Sequence, residues 1–166
     1  MPEFQERGVV FEDLEVGQLI STMHWFVTPD DIKMAADAFF DDNPLYSDPD
    51  FAKESEWGGI IAPFYFLDAT FRWGVFLARG GARHGNHTIN AHGILENFLP
   101  IRPGDRLVGK MWVHDKYKKE SPKGDKKFLV WRMELVNEEG EIVCRKFWRS
   151  LWTDRSIEFP KKESYR

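Results

Sequence analysis

The segment Asp41-Asp42-Asn43-Pro44-Leu45-Tyr46 puts two carboxylates, an amide and a phenol within six residues, and Asp48 follows. A carboxylate such as Asp41 serves as a general base when burial raises its pKa. Tyr46 is a different kind of group. With a reference pKa of about 10, a phenol is overwhelmingly protonated near neutral pH. It can donate a hydrogen bond to an oxyanion or orient a water, but it has no good basic site. The bland reading stands beside this one: Asp41 as a cap or turn residue at a helix end, and Asn43 as a turn former. Further on, Gly58-Gly59-Ile60-Ile61-Ala62-Pro63 precedes a long apolar segment. A helix opening there presents backbone N–H groups toward negative charge, although Pro63 itself has none to give.

Five histidines are the other candidates for proton transfer. His92, followed by Gly93, sits at the front of an expected strand and is a possible helper as the commonest acid–base residue type; the alternative is a satisfied strand histidine. His84 and His87 lie in a Gly-rich turn just before it, and His24 and His114 fall on expected strands. A zinc site from His84, His87 and His92 does not match finger or protease spacings, and no metal is expected. The single cysteine, Cys144, lies in the strand-like Glu141-Ile142-Val143-Cys144 and reads as a buried structural thiol.

These residues need elements to hold them. Gln18 to Phe26 reads as a strand after an opening turn. Thr28-Pro29-Asp30-Asp31 is a helix start: Thr28 caps, Pro29 suits the first position and the acids complement the dipole. Val27 and Ile32 have the spacing of a hydrophobic staple. Ile32, Ala35, Ala36 and Phe39 then make one apolar face. Asn43-Pro44 ends the helix, so Asp41 and Asp42 stand where it enters a loop. Asp48-Pro49-Asp50 starts a second short helix, Phe51 to Ser55. Phe64 to Arg79 is apolar nearly all round, which a helix tolerates only when surrounded. His87–Phe98, Arg106–Lys118, Lys127–Asn137 and Glu141–Thr153 read as strands, the last two joined as a hairpin through Glu138-Glu139-Gly140. One buried helix followed by antiparallel strands is an α+β pattern. A single domain is expected over residues 8–155, with flexible termini at 1–7 and 156–166.

With 166 residues, 42% hydrophobic and 30% charged, the chain suits one soluble domain. A net charge of -4 gives no reason to expect nucleic acid. One cysteine excludes an internal disulfide and, with no signal-like N-terminus, fits the cytoplasm. No membrane span is expected, because the most apolar stretch contains Asp68, Arg72, Pro63 and Gly74. Aromatic residues reach 15%, which suits a core, an interface or an acyl pocket. Trp57, Phe64, Phe66 and Trp73 are core by default, or walls of an acyl tunnel. Lys116, Lys118, Lys119, Lys123, Lys126 and Lys127 cluster at one turn, either as a solvated tip or as partners for coenzyme A phosphates.

The Asp-x-Asn-Pro pattern at Asp41 to Pro44, the Gly59-to-Pro63 segment and the phrase Pro100-Ile101-Arg102-Pro103-Gly104-Asp105 resemble the MaoC-like (R)-specific enoyl-CoA hydratases, over most of the chain. That resemblance implies a hotdog fold, an antiparallel sheet wrapped around a long central helix. In the family, an Asp and a His position a water and handle its protons, and backbone N–H groups near the central helix act on the thioester carbonyl. Here Asp41 fills the Asp position, but Tyr46 fills the His position. The resemblance therefore points to the degenerate, N-terminal type of hotdog, which pairs with a catalytic one. It implies acyl-CoA or acyl-carrier-protein thioesters as substrate, no further cofactor, and Asn43, Gly59, Ile60, Ile61, Ala62, Phe64 and His92 as substrate-binding positions. The first expectation is a hetero-oligomer in which a MaoC-like partner carries the Asp–His pair and this chain shapes the tunnel for a bulky acyl group, such as a steroid side chain or a β-branched chain. The alternatives are a self-sufficient homodimeric hydratase using Asp41 with Tyr46 or His92, and a non-enzymatic acyl-CoA binding protein. A thioesterase is disfavoured by the Asn-Pro motif.

Overall fold

Alternation of apolar and polar residues sorts five strands onto two faces. In the computed structural model, which describes residues 11–68, 87–122 and 124–153 (backbone only at 87–90 and 153), the strands are β1 (Leu19–Phe26), β2 (His87–Asn97), β3 (Arg106–Lys119), β4 (Lys126–Val136) and β5 (Ile142–Thr153). They pair antiparallel in the order β1-β3-β4-β5-β2, which leaves β1 and β2 at the edges. Leu107, Met111 and Val113 of β3 and Leu129, Trp131, Met133 and Leu135 of β4 point to one face and are fully or almost fully buried. The period of two puts their neighbours on the other, outer face. The β4–β5 hairpin closes at Gly140, whose φ of +84° is open to glycine at no steric cost.

Two short helices, α1 (Pro29–Ala38) and α2 (Pro49–Glu54), complete the α+β architecture. The start of α1 follows its sequence. Thr28 Oγ1 accepts from the Asp31 N–H at 3.1 Å, and Asp31 Oδ2 accepts from the Thr28 N–H at 2.8 Å, a reciprocal capping box. Val27 and Ile32 are both fully buried, as a staple requires. Ile32 and Ala35 join the sheet residues, Phe66 and Leu67 in one core cluster. Phe39 departs from the expected apolar face: it is half exposed. It is the C-cap residue, with φ -108° and ψ 8°, and so has left the helical path; its ring rests instead on Tyr65, 4.4 Å between centroids.

The end of α1 is a Schellman turn. The Phe40 N–H donates to Asp37 O at 3.1 Å and the Asp41 N–H donates to Ala36 O at 3.0 Å. Phe40 occupies the left-handed position with φ 55°, the one non-glycine residue with positive φ among the described residues. Holding a side chain there costs about 1–2 kcal/mol against the ordinary helical region. The chain between the helices makes a 3-10 turn at Pro44–Tyr46, which spacing alone does not signal. α2 begins at Pro49 rather than Phe51, because Asp48 caps it by accepting from the Asp50 and Phe51 N–H groups.

The expected central helix is seen only at its start. Phe66 to Asp68 are helical and residues 69–86 lie outside the described residues, with Trp73, His84 and most of the Phe64–Arg79 segment; the chain termini lie outside them too. Asp68 forms an ion pair with Lys146 of β5. No helix among the described residues is long and apolar enough to cross a membrane. Cys144 is buried in the core, and burial pushes its thiol up to about 12. It should therefore resist thiol reagents in the native protein. The expected labelling rate tracks global unfolding; rapid labelling in native buffer contradicts this placement.

Candidate functional site

The loop after α1 is folded by its own side chains. Asp41 Oδ1 accepts from the Asn43 N–H at 3.2 Å, and Asn43 Oδ1 accepts from the Leu45 N–H at 3.0 Å. These two linked side-chain turns present Pro44 to Tyr46 as a compact knuckle. The second oxygen of Asp41 is also engaged. Tyr65, 24 residues on, donates its hydroxyl to Asp41 Oδ2 at 2.7 Å. This bond ties the loop to the turn that opens the central helix. Burial first, and then the Asp41 carboxylate, push the Tyr65 phenol well above the usual tyrosine range. Tyr46 is half buried against the core, and its phenol is raised by burial and then by Asp41, with the Asn43 side chain opposing. Both phenols are donors at neutral pH; neither is a base.

The Gly59–Phe64 segment is placed beside this loop. Ile61, Ala62 and Pro63 are buried, while the Phe64 side chain is 69% exposed. The Ala62 N–H is spent on Ile101 O at 2.7 Å, so it is not free to polarise a thioester. The Phe64 and Tyr65 N–H groups donate to no acceptor among the described residues. Gly59 lies against Arg102, whose Nη2 donates to Trp57 O at 2.7 Å and fixes the glycine turn. The structure thus brings Asp41, Asn43 and Tyr46 into one loop and sets the Phe64–Tyr65 turn beside Asp41 through the Tyr65 hydroxyl.

His92 is elsewhere. Leu95 and Trp148 pack on the core, so alternation sends His92, Ile94 and Glu96 to the outer face. There His92 lines an open groove of about 320 Å³ with Ile94, His114, Val130, Phe147 and Arg149. His24 lies between the core-facing Met23 and Trp25 and also points outward. All three histidines with described side chains are therefore on the face opposite the core. Among the described residues no three potential ligands converge as a metal site.

The lysine cluster divides. Lys116 Nζ donates to the Phe11, Glu12 and Leu14 carbonyls at 3.0, 3.1 and 2.6 Å, and Lys127 pairs with Glu12 at 2.9 Å. These two clamp the N-terminal turn; Lys123 lies outside the described residues. The residue that sequence reasoning missed is Tyr65. It reads as one more aromatic in an apolar run, yet a buried tyrosine hydroxyl needs a partner, and that requirement was the available signal.

Comparison with known proteins settles the family. The model for the FAS1-like dehydratase domain region matches residues 15–146. The chain belongs to this dehydratase family. A comparison with curated proteins found no match. Among solved structures, the chain is similar to a MaoC-like dehydratase from Rhodospirillum rubrum, with TM-score 0.71 and 26% identity over 91% of this chain and 100% of the other. It is also similar to the R-hydratase PhaJ1 from Pseudomonas aeruginosa, with TM-score 0.70 and 21% identity over 93% of each chain. A third similar structure is the ChsH1–ChsH2 complex from Mycobacterium tuberculosis, with TM-score 0.65 and 18% identity over 86% of this chain and 89% of that one. The sheet is that of a hotdog fold, and the dehydratase family resembles the MaoC-like hydratases in structure as the Asp-x-Asn-Pro motif implied.

The Tyr65–Asp41 bond has a measurable consequence. Tyr65→Phe should lower unfolding stability by about 1–2 kcal/mol, as for a lost hydrogen bond to a charged group with some solvent access. The pH sign follows from the raised phenol. Tyr65 ionises less readily folded than unfolded, so its contribution is complete below pH of about 10, the unfolded value. It is lost as pH climbs from there toward the folded value. Denaturant titrations at pH 8 and in alkaline buffer should show the wild type losing more of its advantage over Tyr65→Phe at the higher pH; an advantage independent of pH contradicts the assignment.

Proposed function

We propose that this chain is the acyl-shaping hotdog subunit of a heteromeric enoyl-thioester hydratase or dehydratase, and that a partner hotdog chain supplies the Asp–His pair. The observation that carries this reading is the condition of the Asp41 position. One carboxylate oxygen accepts from Tyr65 and the other from the loop backbone. The neighbouring Tyr46 is a protonated phenol, and the described histidines face away. Hydration needs a base to take a proton from water as its oxygen adds to the β-carbon. It also needs an acid to protonate the α-carbon and donors for the enolate oxygen. Among the described residues, no histidine stands beside Asp41 to share these proton transfers.

What this chain offers instead is surface. β2 is an 11-residue edge strand with neither lysine nor proline in it, features that otherwise blunt a free edge. Exposed Ile94, Phe98 and Phe64 lie along or beyond it, and Asn97 Nδ2 donates to Phe64 O at 3.1 Å, joining the end of β2 to the turn before the central helix. A partner adding to this edge would sit beside that turn, where an apolar acyl group of a coenzyme A or carrier-protein thioester needs walls. The similar ChsH1–ChsH2 structure is a complex of two named components, which agrees with assembly in pairs. A bulky acyl group, such as a steroid side chain or a β-branched chain, suits the aromatic content.

The test is hydration of crotonyl-CoA and of a bulky enoyl-CoA by the pure chain and by the chain co-purified with a MaoC-like protein that has an intact Asp–His pair. Activity is expected only in the mixture. Asp41→Asn in this chain should fold and keep more than about half of the mixture's rate, because the proton transfers belong to the partner. Robust turnover by the pure chain, or near-complete loss with Asp41→Asn, contradicts the proposal.

A further inference from the structure

Arg132, Arg145 and Arg149 stand on the outer face of the sheet, and they are not equally provided for. Arg145 Nε donates to Glu134 at 2.8 Å, with Glu96 3.9 Å from its Nη1, and Arg132 shares the same Glu134 at 3.8 Å. Arg149 pairs with no carboxylate among the described residues. Its Nη1 donates to the Tyr117 hydroxyl at 3.2 Å and its guanidinium lies 5.9 Å from the Phe128 ring centre. Its Nε is sealed from solvent and meets no acceptor. Asp115 stands opposite Val130, one strand further from Arg149, and accepts from the Lys116 N–H at 2.7 Å.

A guanidinium carries five donors in a fixed fork that matches a carboxylate or a phosphate. Leaving such a group partly buried without an anion costs free energy. The chain adds more nitrogen around it instead of an acid. His92 is the register partner of Arg149 on β2, and His114 joins from β3. These three line the groove of about 320 Å³, whose other walls, Ile94, Val130 and Phe147 among them, are apolar. That volume is at the lower end for a small-molecule site. The lining selects an anionic head on an apolar body. A second copy of the chain packed here about a two-fold axis would set its own arginine and histidines against these, which like charge opposes.

We propose that this outer-face groove binds a small amphiphilic anion, its carboxylate or phosphate head held by Arg149 between His92 and His114 and its apolar body on Ile94, Val130 and Phe147. The site lies on the face opposite the core, apart from the Asp41 loop, and does not depend on the heteromeric reading of the function.

The experiment titrates the full chain with octanoate, octyl phosphate and octanol, following the histidine ring signals by NMR in wild type, Arg149→Met and His92→Glu. The His92 and His114 signals are expected to shift with one or both anions, with a dissociation constant of about 1 mM or tighter, and not with octanol. The tighter anion identifies the head group. His24, outside the groove, is expected to stay unmoved. Arg149→Met should weaken binding by about tenfold or more. His92→Glu sets a carboxylate opposite Arg149, so it should abolish binding and raise the melting temperature by about 1–3 °C. Because His92 is exposed, this second variant decides the matter even if Arg149→Met loses stability. No shift with either anion at about 10 mM, equal shifts with octanol, or undiminished binding by His92→Glu overturns the proposal. Sedimentation showing that wild type self-associates and Arg149→Met does not also overturns it, because the face then meets another chain.

Discussion

A carboxylate shared between a loop and a phenol ties together the segments that hold the candidate site. Asp41 emerges from the Schellman turn of α1, accepts the Asn43 N–H on one oxygen and the Tyr65 hydroxyl on the other. Each bond is worth about 1.5–3 kcal/mol at most when one partner is charged, but their placement matters more than their sum. Together they join the first loop to the Phe64–Tyr65 turn, next to a core that contains Ile32, Phe66 and Leu67. They also set limits on chemistry. The phenols around Asp41 are held protonated, so they can donate hydrogen bonds but cannot act as bases.

The sheet has two unlike faces. Its inner face is mainly apolar, from Leu107 through Trp131 to Trp152, interrupted on β5 by buried Ser150 and by Lys146, which lies opposite Met133 and pairs with Asp68. Its outer face carries His24, His92 and His114 with arginines and aromatic rings; His114 packs edge-on against Phe147 and the Arg132 guanidinium lies 4.5 Å from the Trp112 ring centre. Among the described residues, these three imidazoles thus lie on the face of the sheet opposite the core.

The strands were legible because a half-buried strand advertises its period: β3, from Arg106 to Lys119, and β4, from Lys126 to Val136, fall within one residue of the ranges expected from alternation. The start of α1 was equally legible, since Thr28, Pro29 and Asp31 act locally. What escaped were features fixed by tertiary contact. Nothing in the spacing says that Phe39 turns from the helix face to Tyr65, or that Tyr65 finds a carboxylate 24 residues away. Lys116 reads as solvated charge, and only the fold shows three carbonyls of the N-terminal turn gathered around it. The candidate loop of Asp41, Asn43 and Tyr46 was visible in the sequence; its tie to Tyr65 depended on a residue that periodicity assigns to the core.

The most direct test of this account is a double-mutant cycle on Asp41→Ala and Tyr65→Phe, read by equilibrium denaturation at neutral pH. A bond that fixes the loop to the helix opening makes the two substitutions non-additive, with a coupling of about 1 kcal/mol or more. Additivity to within about 0.3 kcal/mol would mean that Asp41 is free of Tyr65 in solution, and the carboxylate would regain its claim to be the base.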